Sequence, residues 1–191
     1  MEPRAGASGA MADSITWAVD DLATIGGHPC EVFGAPHVID TEEGKAVEFW
    51  GEAERGDGLM LPVNPLAGLG AFTVEIVFMP YAGGPTDQRF FHMAEDGDTG
   101  NRVLLETRNG GWINTTEAGA QGTGEVVPEG EWFLDACLQS AAPVAGERNL
   151  AIQFATNHTH SAEAWHTASV VVDGGEFTHY VDGVAERSPP V

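Results

Sequence analysis

Two runs of β-forming residues near the C-terminus, His166-Thr167-Ala168-Ser169-Val170-Val171-Val172 and Glu176-Phe177-Thr178-His179-Tyr180-Val181, are separated by Asp173-Gly174-Gly175. The second run stops at another turn pair, Asp182-Gly183. Gly-Gly and Asp-Gly supply the positive φ angles that a two-residue hairpin demands, so the stretch reads as a β-hairpin entering a further tight turn. No long heptad or 3.6-period apolar stretch calls for helices elsewhere, and 25 glycines and 11 prolines are scattered as short strands joined by turns require. The expected class is all-β, a two-sheet antiparallel sandwich. At 191 residues and 42% hydrophobic, the chain has enough material for one core. Residues 1–13 read as a flexible leader and 14–191 as a single domain.

The charge removes several functions. Twenty-nine acidic residues against 8 basic ones, with Lys45 the only lysine, give a net charge of −21. Such a surface repels phosphate backbones and anionic membranes, so no nucleic-acid partner and no membrane insertion are expected. An acidic, salt-tolerant host proteome explains the balance more simply than cation capture or a basic partner. Cys30 and Cys137 lie far apart without C-x-x-C spacing, which leaves a single disulfide and two reduced thiols both open and makes no zinc site. Neither an apolar leader core nor a run of ~18 apolar residues is present, so the chain reads as soluble, with no signal peptide or transmembrane segment. Compartment and oligomeric state stay open.

Three segments carry a resemblance. Trp165-His166-x-Ala168-x-x-x-x-Asp173-Gly174 with Tyr180-Val181-Asp182-Gly183 is one; Ala46-Val47-Glu48-Phe49-Trp50-Gly51 leading to Gly58-Leu59-Met60-Leu61-Pro62 is the second. The third, Phe72-Thr73-Val74-Glu75-Ile76-Val77-Phe78-Met79-Pro80, puts Phe72, Val74, Ile76 and Phe78 on one face of a strand. Together they resemble the laminin-G-like, concanavalin A-like jelly-roll superfamily. Trp50 departs from the small polar residue common there. The resemblance implies a jelly roll with a concave sheet on which glycans lie, and it covers both lectins and glycan-cleaving enzymes.

The candidate site is the set of polar residues on successive strands. Alternation in Arg102-Val103-Leu104-Leu105-Glu106-Thr107-Arg108 turns Arg102, Glu106 and Arg108 to one side, and three of seven arginines fall within residues 89–108. The bland alternative is a solvent-facing ladder of weak ion pairs; the functional one is a row in which Arg102 or Arg108 grips a carboxylate by its fork. Arg89 and His92 on the preceding strand, with His92 sharing a face with Phe90, extend the set. Asp135 interrupting an apolar run, and His179, complete it. Trp112, in a Gly-rich loop, is the indole expected to be accessible for stacking on a sugar, whereas Trp165 is expected in the core.

The leading expectation is therefore a carbohydrate-binding, lectin-like domain for oligo- or polysaccharides, using Arg89, His92, Arg102, Glu106, Arg108, Trp112, Asp135 and His179. The alternative is a glycan-active enzyme, in which His92, Arg102, Glu106, Arg108, Asp135, His179 and Tyr180 would be catalytic. The E-x-D-x-E strand of glycoside hydrolases on this fold is absent, so a polysaccharide lyase is favoured over hydrolysis. There an Arg and His92 would neutralise a uronate while Tyr180 or His179 takes the C5 proton. A structural or adhesion module is the third reading. Glu95, Asp96, Asp98 and Asn101 form an oxygen-rich loop suited to calcium, an acidic hairpin turn being the simpler account. His158-Thr159-His160 has the H-x-H spacing of transition-metal sites but lacks an evident third ligand. No organic cofactor is expected.

Overall fold

In the computed structural model, residues 13–50, 56–95, 98–115, 124–144, 148–154 and 158–186 are described. Every regular element among them is a β-strand, in antiparallel pairs, and no helix among them is long and apolar enough to cross a membrane. The chain divides into two compact units, Met1–Val63 and Asn64–Val191.

The first unit contains three two-stranded pairs: β1 (Thr24–Ile25) with β2 (His28–Pro29), β3 (Glu31–Phe33) with β6 (Gly58–Met60), and β4 (His37–Thr41) with β5 (Gly44–Glu48). The strand expected over Ile15–Leu22 does not form. Asp21 accepts a hydrogen bond from Ala23 N at 3.0 Å, an aspartate turn that competes with a ladder, and Val19 O makes one contact to Val47 N.

The second unit is a β-sandwich. Its five-stranded sheet runs β11 (Arg148–Phe154), β10 (Glu131–Val144), β9 (Asp98–Asn109), β8 (Asp87–Glu95), with β12 (His160–Ser161) also paired to β10. Its four-stranded sheet runs β15 (Val184–Glu186), β14 (Glu176–Val181), β13 (His166–Asp173), β7 (Phe72–Phe78). Both inner faces are written by period-2 alternation. Val103 and Leu105 of β9, and Trp132, Leu134, Ala136 and Leu138 of β10, meet Ala168, Val170 and Val172 of β13 and Phe177 and Val181 of β14 in one core. Phe72, Val74, Ile76 and Phe78 of β7 pack on it, Phe78 stacking on Phe90 at 4.3 Å and meeting Trp132 edge-on at 5.1 Å.

The C-terminal hairpin forms as its turn residues require. Gly174 and Gly175 have φ of 56° and 85°, and Asp182 and Gly183 have 50° and 77°. These are the signs of type I′ turns, whose twist matches that of the strands. The same alternation overturns one expectation: His166, not Trp165, is carried inward over Trp132, and Trp165 is exposed rather than in the core.

Candidate functional site

The side of the five-stranded sheet turned away from the core carries the polar file. With Val103 and Leu105 directed inward, Arg102, Leu104, Glu106 and Arg108 of β9 face out. Register then sets Asp87 and Phe133 on either side of Arg108, Arg89 and Asp135 on either side of Glu106, and His92 and Cys137 on either side of Leu104.

A bulge decides the β8 side. The register slips between Arg89 and Phe91, so Phe90 and Phe91 both pack toward the core while Arg89 and His92, three residues apart, share the outer face. Strict alternation pairs His92 with Phe90; the extra residue breaks that parity, and Phe90 is stacked inside on Phe78.

At the centre of the file lies Arg108. Its guanidinium pairs with Asp87, with Glu106 Oε2 at 3.1 Å, and with Asp135 Oδ2, which accepts from Nε at 2.9 Å and from Nη2 at 2.7 Å. Glu106 also accepts from Arg89 Nε. Glu106 and Asp135 are buried, and Arg108 nearly so, whereas Asp87 and Arg89 are half exposed. Three carboxylates against two guanidinium groups make the cluster net anionic. Arg108 is thus engaged by the protein's own carboxylates. The Nε of Arg102, further along β9, is buried without a hydrogen-bond acceptor among the described residues. Partial burial, reinforced by the positive charges of Arg89 and Arg102, holds the His92 imidazole below its ordinary pKa. Burial pushes the Cys137 thiol up, against the pull of Arg102 beside it.

One end of the file is roofed. After β9 the chain turns back as a short arm in which Gly111 N donates to Val127 O, Val127 N to Trp112 O, and Asn114 N to Glu125 O. Trp112, Val127 and Phe133 form a second small apolar cluster, with Trp112 edge-on to Phe133 at 5.3 Å and the Arg108 guanidinium 5.6 Å from its ring centre. The arm lies close at its base: a Cβ on Gly110 would meet Glu129 Cα at 2.9 Å and Pro128 O at 3.0 Å. Trp112, expected accessible, is therefore buried, its indole closing the arm onto the sheet.

The structure brings together Arg89, His92, Arg102, Glu106, Arg108, Asp135 and, through the arm, Trp112; Asp87 joins them by register, opposite Arg108. His179 and Tyr180 are not part of this set. They sit on β14 of the other sheet, where alternation turns His179 inward with Phe177 and Val181, wholly buried, and Tyr180 to the opposite side. The structure therefore does not bring either residue to the Arg row, as the lyase reading would require. Of the proposed calcium loop, Asp96 and the side chains of Glu95 and Asp98 lie outside the described residues, and Asn101 is half-buried in β9. Both cysteines are free.

A second polar group was only half visible in the sequence. His158 and His160 approach Glu186, and His166 approaches Asp182, with the His160 and His166 rings packed against the buried Trp132 indole. The H-x-H spacing signalled two of these residues; the others come from β13, the β14–β15 turn and β15. Compared against protein families, curated proteins and solved structures, the chain shows no match.

Proposed function

We propose that this protein is a carbohydrate-binding domain whose ligand lies along the outer face of the five-stranded sheet. One observation carries the reading: Asp87, Arg89, His92, Glu106, Arg108 and Asp135, from three neighbouring strands, converge on one face beside an aromatic arm. Fixed carboxylates and guanidinium groups match the paired acceptors and donors of vicinal hydroxyls, and a network satisfied within itself holds them without rearrangement. The half-exposed Asp87 and Arg89 and the exposed His92 are the groups that touch sugar. Glu106, Arg108 and Asp135 beneath them are positioning residues.

The internal neutralisation of Arg108 by Asp87, Glu106 and Asp135 favours a neutral glycan over a uronate. The resemblance of three sequence segments to laminin-G-like domains points to the same ligand class. Affinity electrophoresis through gels containing neutral or uronate polysaccharides tests it, with reducing ends and unsaturated product monitored in parallel. Retardation by a neutral glycan that is lost in Arg89→Ala and His92→Ala, without product, is expected. No retardation by any polysaccharide would sink the proposal, and product formation would replace binding with catalysis.

A further inference from the structure

Four of the chain's seven histidines, His158, His160, His166 and His179, gather with Asp182 and Glu186 at one end of the sandwich. They arrive from separate elements. His160 is on β12, His166 opens β13, Asp182 occupies the β14–β15 turn, and Glu186 ends β15 directly across from His179. The donor atoms of His160, His166 and Asp182 all lie within 4.8 Å of one another. His166 Nδ1 is 2.8 Å from Asp182 Oδ2, and the His160 and His166 rings are 5.7 Å apart, both against Trp132.

Hydrogen-bond chemistry shows what this arrangement lacks. An ionised Asp182 and the Ser161 carbonyl can only accept, yet they flank Nδ1 and Nε2 of the same His166 ring, each at 2.8 Å. Without an ion, His166 satisfies both only as an imidazolium. With a cation between Nδ1 and Asp182, the neutral ring suffices: Nε2–H still donates to Ser161, as the outer nitrogen of a metal-ligating histidine does to a backbone carbonyl. A parallel orienting contact holds His160, whose Nε2 lies 2.6 Å from Glu186 Oε1. Glu186 itself is almost wholly buried, and its Oε2 accepts no hydrogen bond among the described residues; His179 Nε2 stands 3.6 Å away.

We propose that His160, His166 and Asp182 bind one divalent transition-metal ion of the zinc class, with Glu186 and the Ser161 carbonyl orienting the two imidazoles. Two imidazoles and a carboxylate suit zinc, cobalt, nickel or copper, whereas calcium and magnesium take all-oxygen shells. Ligand atoms around tetrahedral zinc stand roughly 3.3 Å apart, given bonds of about 2.0–2.1 Å, and the observed spacings bracket that value. Three protein ligands leave a fourth position for water or substrate. The ion ties β12 to β13 and to the β14–β15 turn.

Tag-free full-length protein, stripped with EDTA, is titrated with Zn²⁺ by calorimetry and with Co²⁺ by visible absorption. One ion per chain, a cobalt d–d spectrum of tetrahedral intensity and a raised melting temperature are expected. Asp182→Asn keeps both the turn, since Asn tolerates φ of 50°, and the acceptor for Thr167 N at 2.8 Å. It and His166→Ala should each weaken Zn²⁺ binding by more than about tenfold; if His166→Ala does not fold, Asp182→Asn decides. Absence of stoichiometric Zn²⁺ binding, binding unchanged in Asp182→Asn, or displacement of Zn²⁺ by equimolar Ca²⁺ would each overturn the assignment.

Discussion

Replacing Arg108 by Met should destabilise the second unit far more than replacing Arg89, although both are arginines on the same file. The Arg108 side chain is 13% exposed and pairs with Glu106 and Asp135, at 9% and 10%; removing it leaves two buried carboxylates with Arg89 alone to compensate one of them. Breaking a buried charge network in this way costs about 3–5 kcal/mol. Arg89 is 53% exposed, so solvent screens its pair with Glu106, and its loss should cost under about 1 kcal/mol. Urea denaturation followed by tryptophan fluorescence measures both. The double variant Arg108→Met with Asp135→Leu supplies the internal check: it removes the stranded carboxylate together with its counter-ion, leaving Glu106 with Arg89. It should therefore recover much of what Arg108→Met loses, an interaction of roughly 1–3 kcal/mol between the two sites. Equal losses in Arg108→Met and Arg89→Met, or a double variant that is merely the sum of the singles, would refute the claim that the network is internal and buried.

Titration supplies further tests. His92 should titrate below about 6.5 in a histidine-ring NMR series, because partial burial and then Arg89 and Arg102 disfavour its charged form. Its folded pKa is the lower one, so its contribution to stability is present above pH ~6.5 and is lost as pH falls through the folded value; Arg89→Gln should move the midpoint up, and a wild-type midpoint above the reference would contradict the placement. For Cys137 the sign reverses. Burial raises the thiol, so its contribution is complete below the unfolded value of about 8.5 and is lost as pH rises from there through the folded one. Iodoacetamide at mildly alkaline pH should label half-buried Cys30 first and Cys137 only as urea unfolds the chain, and mass spectrometry showing equal labelling of native protein would be inconsistent with that burial.

Much of the strand pattern was legible because it is local. β7, β9, β10 and the β13–β14 hairpin follow from alternation and turn chemistry, and Arg102, Glu106 and Arg108 had to share a face once Val103 and Leu105 were turned inward. Failures came where one residue changes parity or where a segment folds over another. The bulge at Phe90 moved His92 to Arg89's side; the arm after Asn109 buried Trp112; and Asp21 drew its neighbours into a turn instead of a strand.

By itself, then, the sequence determined an all-β chain, the faces of its regular strands, the C-terminal hairpin with its tight turns and a net charge of −21, since each depends on period, turn residues or charge count. Only the tertiary structure decided which strands became neighbours. That put Asp87, Glu106 and Asp135 around one guanidinium, sent His179 to the opposite sheet, and drew His160, His166 and Asp182 to one end of the sandwich. Side chains separated by up to tens of residues in the chain meet through cross-strand register, and register is set by the shared burial of whole sheet faces rather than by any local signal.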